Sequence, residues 1–211
     1  MIAIKHKESG AVLYEVAAES LAGQYMEGAF LEGANLSGMN LTGADFQSAN
    51  LKNADLSGAR LDKASFHSAV LNGANLENAN LANADLTDAI LIGARLCSAN
   101  LSGAVCRYSK MAECDFTDAR LSGADLSMSD LRANFFNANL SKADMRGADL
   151  TGANLDGADL TGANLHDAKM ANVTLSGARM EGAIGTMGHR LSGKSLGHKK
   201  KAKRPWWQFW N

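Results

Sequence analysis

Large apolar residues recur along this chain with a period of five. From Leu31 one stands at every fifth position as far as Leu131. One residue is then missing, and the series resumes at Phe135 and runs to Met180. These 31 positions hold 22 Leu, four Phe, four Met and Cys106, and Ala stands two residues before 26 of them. The exceptions at that small position are Met39, Ser109, Cys114, Ser129 and Val173. Period five fits neither regular element. On an α-helix five residues overshoot a full turn by about 140°, which scatters the leucines around the cylinder. On a straight strand an odd period sends successive leucines to opposite faces. A chain that turns a corner every five residues satisfies the pattern, with the large residue and the small one pointing inward from a short extended stretch. The residue between them points out. The corner takes Gly, Asn, Asp or Ser, as at Gly33, Gly38, Gly43 and Gly58, or at Asn53, Asn78 and Asp88, because these types tolerate tight turns and positive φ.

The pattern predicts a core of Leu36, Leu41, Phe46, Leu51, Leu56, Phe66, Leu76, Leu96, Phe116, Phe135 and Leu155. The unit A(D/N)LxG, repeated over about residues 16–185, resembles the pentapeptide-repeat family. The resemblance implies an all-β fold, a right-handed quadrilateral β-helix with four repeats per coil and about eight coils. Four repeats per coil would stack Phe46 on Phe66 and Phe116 on Phe135, with the missing residue near Asn134 read as a shortened corner.

The two ends differ from the body. Residues 1–15 alternate apolar residues around Glu8, Ser9 and Gly10, which predicts a β-hairpin capping the solenoid's exposed end. Beyond Met180 the pattern fails, with Gly185 where a large residue belongs, and residues 186–211 read as a flexible tail. The tail ends in a basic and aromatic cluster: Lys199, Lys200, Lys201, Lys203, Arg204, Trp206, Trp207, Phe209 and Trp210.

Composition adds one correction to a first impression. The formal net charge is −1. From Arg190 onward there are seven bases and no acid, which leaves −8 on residues 1–189. A near-neutral total hides an acidic body with a basic end.

Chemistry-bearing constellations are not apparent. The His residues are scattered without metal-ligand spacing, the three cysteines form no CxxC pair, and the glycines come one per five rather than as GxGxxG before a helix. No catalytic, cofactor or metal site is expected. Cys106 and Cys114 fall in inward positions and Cys97 in an outward one. The N-terminal residues lack the apolar stretch of a secretory signal, and no apolar run is long enough to span a bilayer. A cytoplasmic location, with a membrane-peripheral variant through the tail, is the expectation.

Departures from the repeat mark a candidate interaction surface. Outward positions are normally polar, yet Phe30, Val70, Ile90 and Ile92 are assigned to one face, and Val105, Arg107, Tyr108 and Met128 to its neighbour. Lys110 and Arg132 return to the first of these. Apolar residues rimmed by Arg and Tyr compose many interfaces. The expected function is a non-catalytic scaffold for protein–protein interaction or self-association as a homodimer, its partner protein unknown. The tail would contact a membrane surface or a partner, or neutralise phosphates and stack on single-stranded bases. A second function is implied by the resemblance alone. The family's quinolone-resistance members act as DNA mimics on DNA gyrase, and a column of Asp45, Asp85, Asp125 and Asp144, with Asp130 and Asp149 beside it, would imitate phosphates. Those members carry projecting loops and an apolar C-terminal dimerising helix, which are not seen in this sequence.

Overall fold

The five-residue period sets the hydrogen bonding of the whole body. A computed structural model of the chain describes residues 1–191. It is all-β, with no helix among the described residues. From residue 25 onward single-residue parallel bridges join each repeat to the one twenty positions later, as in Tyr25 to Asp45 and Asp45 to Ser65. Twenty residues are four sides of five, so the bridges form four rows, one per face of a β-helix. The first face begins at Tyr25, the second at Phe30, the third at Asn35 and the fourth at Asn40.

One repeat accounts for all five of its amide hydrogens. Leu51 N–H donates to Val70 O at 2.7 Å and Asn53 N–H to Asn72 O at 2.9 Å, both in the next coil. Asp55 N–H donates back to Ala34 O at 2.8 Å, and Ala54 N–H closes the corner on Leu51 O at 3.0 Å. The fifth donor, Lys52 N–H, cannot reach a carbonyl and is taken by the Asn50 side chain, Oδ1, at 3.1 Å. Asn and Asp therefore dominate the outward position because their short side chains reach the amide two residues on. The same bond recurs from Gln47 to Asp45, from Thr87 to Asp85 and from Ser141 to Asn139.

Inside, leucines and alanines stack coil on coil. Leu36, Leu41, Leu51, Leu56, Leu76, Leu96 and Leu155 are fully buried, as are Phe46, Phe66, Phe116 and Phe135. The Phe46 and Phe66 rings stack at 5.2 Å between centroids, and Phe116 and Phe135 at 4.8 Å. Three non-Ala residues in the small position find backbone acceptors, the two serines within their own repeat and Cys114 in the preceding coil. Ser109 Oγ donates to Cys106 O at 2.7 Å, Ser129 Oγ to Leu126 O, and Cys114 Sγ to Leu91 O at 2.9 Å.

The missing residue is absorbed at one corner. Ala133 N–H bonds Leu131 O, two residues back rather than three, at 2.8 Å. The bridges then step by nineteen, from Asp115 to Asn134 through Asp130 to Asp149, and return to twenty at Asn134 to Asn154. No face loses its row.

Both ends of the described chain are antiparallel. Strand β1, Ile2–His6, pairs with β2, Val12–Val16, and on its other side with β3, Ala34–Asn35, at the start of the third face. Ile4 and Val16 are buried against the first coil, and Lys7 N–H ties the hairpin to Gly33 O at 2.8 Å. Residues 186–191, which the sequence assigns to a flexible tail, instead double back. Arg190 pairs antiparallel with Ile184, and Leu191 N–H donates to Ala183 O at 2.7 Å. The backbone at Ile184 offers an open edge there, and the reversal uses it.

Candidate interaction surfaces

Each outward residue belongs to a row fixed by the bridges, so surface composition is decided face by face. Phe30, Val70, Ile90 and Lys110 share the second face, in that order with Asn50 between the first two. Val105 is on the first face, between Asp85 and Asp125. Several assignments change. Ile92 and Arg132 stand at the corner between the second and third faces, and Arg107, Tyr108 and Met128 at the corner between the first and second. The inward pair of each repeat takes the extended stretch, so the two residues after the large one must form the corner.

The corner between the first and second faces is the most apolar edge of the body. Tyr108 and Met128 sit in adjacent coils, 50% and 57% exposed, both with positive φ. The Arg107 guanidinium lies 5.8 Å from the Tyr108 ring centroid and 3.7 Å from the Asp125 carboxylate. Val70 and Ile90 are half-buried beside it and Ile92 is exposed. Val, Ile and Lys at outward positions forfeit the bond that Asn or Asp would make. The amides of Asn72, Arg107 and Ala112, two residues past Val70, Val105 and Lys110, find no acceptor among the described residues. Ile92 N–H escapes that fate through the Asn72 side chain of the preceding coil, at 3.1 Å.

The acidic residues divide by face. Asp45, Asp85, Asp125 and Asp144 lie in one row on the first face, and Asp130 and Asp149 on the second. Arg146 clasps Asp144 with Nε and Nη2 at 2.9 and 2.6 Å, and Arg132 clasps Asp130 at 2.8 and 2.6 Å. Lys169 reaches Asp149 at 3.5 Å. The bond from Arg132 leads in holding the Asp130 carboxyl below its ordinary range. At Asp144 and Asp149 partial burial works the other way, and hydrogen bonds from Arg146 and Thr151 override it.

The cysteines are quiet. Burial pushes the Cys114 thiol up to about 12 and that of fully enclosed Cys106 higher still. Partial burial and the neighbouring Asp115 raise Cys97 to about 11, which leaves little thiolate near neutrality. Among the described residues no three His, Cys, Asp or Glu gather as a metal site, and no helix is long and apolar enough to cross a membrane. The basic aromatic cluster from Lys199 to Trp210 lies outside the described residues.

Two exposed aromatics escaped the sequence reading. Tyr25 heads the first face at 82% exposure, one residue before Met26 and just ahead of the regular series. Phe136, 43% exposed, follows Phe135 at a corner, where the adjacent core residue hides it. Applying the period one repeat earlier would have found Tyr25.

A family model described as pentapeptide repeats matches in eight copies, within residues 21–58, 64–103, 99–133, 114–155, 132–167 and 148–184. Among solved structures, the chain is similar to HetL, a pentapeptide-repeat protein involved in heterocyst differentiation regulation from the cyanobacterium Nostoc sp. strain PCC 7120. Identity is 34%, over 81% of this chain and 78% of HetL, with a TM-score of 0.64. It also resembles QnrB1, a plasmid-mediated fluoroquinolone resistance protein, at 19% identity over 76% of this chain and 90% of that one, with a TM-score of 0.63. The second likeness bears on fold alone. Among curated proteins none matches the chain.

Proposed function

Because the chain belongs to the pentapeptide-repeat family, we propose that it is a non-catalytic scaffold that binds a protein partner through the second face and the corner beside it. The observation that carries this reading is the run of apolar outward residues at Val70, Ile90 and Val105. Each stands where Asn or Asp would offer an acceptor to a corner amide, so the body forgoes that side-chain acceptor at each and presents half-buried apolar surface instead. Such a trade suits a contact surface better than a solvated one. Arg107, Lys110 and Arg132 supply the polar rim. HetL's regulatory involvement fits a protein that acts by contact rather than by chemistry. Residues 199–211 add a second contact, with a membrane surface or a partner, in a cytoplasmic or membrane-peripheral setting.

The test is a variant that improves the fold while removing the surface. Val70→Asn is expected to raise the free energy of unfolding in urea by about 0.5–1.5 kcal/mol, for the bond its side chain would offer the unpaired Asn72 amide. It is also expected to lower capture of proteins from a host extract relative to the unmodified chain. Unchanged capture, and unchanged self-association by sedimentation, would remove the surface from the proposal. Deleting residues 199–211 is expected to reduce pelleting with anionic vesicles.

A second reading, as a DNA mimic acting on DNA gyrase, is favoured by the aspartate row on the first face. Arg107 and Arg146 already touch two of its four carboxylates, which makes the row a poorer phosphate imitation and places this reading second. A supercoiling assay in which the protein protects gyrase from a fluoroquinolone would promote it; no effect at excess protein would dismiss it.

A further inference from the structure

The four faces differ in one respect that the net charge conceals. The second row contains Lys110 and Lys169, the third Arg95, and the fourth Arg60, Arg120 and Arg179. From Tyr25 to Ile184 the first row contains four aspartates and no lysine or arginine. Asp45 and Asp85 have no cationic partner among the described residues, although Arg107 and Arg146 lean from the corner onto Asp125 and Asp144. The described chain ends on this same face: Arg190 bridges Ile184, the last residue of the acidic row. The C-terminal segment of the sequence is KKKAKRPWWQFWN, with five cations and four aromatics in residues 199–211.

We propose that residues 199–211 dock along the first face of their own body, with the lysines over the aspartate row and the tryptophans against Val105 and the Tyr108–Met128 corner. Length permits it. At about 4.8 Å per coil, Asp125 is about 19 Å and Asp85 about 29 Å from Arg190 along the row. Lys199 is nine residues beyond Arg190, a reach of up to about 30 Å at about 3.3 Å per residue, and Trp206 reaches further. Charge permits it as well, since a basic segment tethered beside an acidic row meets it at high effective concentration. Val105 interrupts the row, and Tyr108 and Met128 flank it, which places apolar area within the same strip for aromatic rings. Docking there covers part of the corner assigned above to a partner, so a partner or an anionic surface would compete with the tail. The contact itself does not depend on what that partner is.

All three tryptophans of the protein, Trp206, Trp207 and Trp210, belong to this segment, so intrinsic tryptophan emission reports the tail alone. In the full-length protein at low salt, acrylamide quenching is expected to be about threefold weaker than for a free peptide of residues 199–211, and to return to the peptide's value at about 1 M salt, where charges are screened beyond ~3 Å. The triple variant Asp85→Asn, Asp125→Asn, Asp144→Asn is expected to lose the protection at low salt. Asn keeps the acceptor for the corner amide, and an unchanged far-UV spectrum and urea midpoint verify that the coils remain. Quenching equal to the free peptide's at low salt overturns the proposal. So does protection that survives the three substitutions, or protection that grows with protein concentration, which would assign the tail to a second copy.

Discussion

A corner residue in this protein answers to the coil beside it as well as to its own φ. Among the described residues sixteen non-glycine positions hold positive φ, including Asn53, Asn83 and Asn137, so the left-handed corner does not by itself demand glycine. At some corners the neighbouring coil demands it. A Cβ on Gly73 would meet Asn53 Oδ1, and one on Gly103 would meet Asn83 Oδ1 at 2.7 Å. Gly33 is the strictest case. At φ +67° its Cα faces the His6 ring, and a Cβ there would come within 2.7 Å of His6 Cδ2. His6 is itself fixed, its Nδ1 accepting from the amides of Glu8 and Ser9 at 3.2 and 3.3 Å. Gly38, at φ +64°, has open space around it. Gly38→Ala is therefore expected to cost only the backbone penalty, about 1 kcal/mol, whereas Gly33→Ala adds a clash that the hairpin must yield to. Urea unfolding of the two variants side by side checks this. Equal losses would mean that the hairpin moves freely and that His6 does not hold the third face's edge.

The side of five residues is the element of this fold, and its energetics are pairwise between coils. Most large positions hold Leu, so an isolated Phe would face a smaller neighbour above or below; the structure matches rings to rings instead, Phe46 with Phe66 and Phe116 with Phe135. Phe116→Leu and Phe135→Leu are each expected to destabilise by about 1 kcal/mol or more, while the double variant restores a Leu-on-Leu stack and loses less than the sum. A double-mutant cycle in urea should return a coupling of about 0.5–1.5 kcal/mol for the stacked rings; additive losses would show that the pair is merely two buried residues. This pairing was legible in the sequence once the family resemblance implied four repeats per coil, since the rings stand twenty and nineteen positions apart. Which residues form corners was less legible. Ile92, Arg107, Tyr108, Met128 and Arg132 read as face residues until the bridges showed that the two positions after each large residue turn the chain. The reversal at Arg190 was hidden for a different reason: an open backbone edge at Ile184 attracts a strand regardless of side-chain pattern. Gly, His and Ser around it gave no periodic signal.

For the whole molecule, each coil touches only its neighbours, so stability is a chain of local interfaces rather than one shared core. That arrangement makes acid sensitivity regional. Among the described residues four carboxyls sit below the ordinary aspartate range of about 3.8: Asp115, Asp130, Asp144 and Asp149. Arg132 lowers Asp130 directly. At Asp115, Asp144 and Asp149 partial burial opposes ionisation and is outweighed by hydrogen bonds, with Thr117, Arg146 and Thr151 as leading donors. A carboxyl whose folded value is depressed contributes stability above its unfolded value and loses that contribution as pH falls through the folded one. The urea midpoint should therefore be insensitive to these groups from neutrality down to about pH 4 and fall below it. All four lie between residues 115 and 149, in the coils on either side of the shortened corner. Amide hydrogen exchange at about pH 3 should consequently open residues 115–149 before the coils from Asp45 to Asn100. Each coil loses an interface on one side only when its neighbour opens, so the break would spread outward from that segment. Uniform loss of protection along the body would mean that the coils unfold as one cooperative unit, and that neighbour-only coupling does not describe this β-helix.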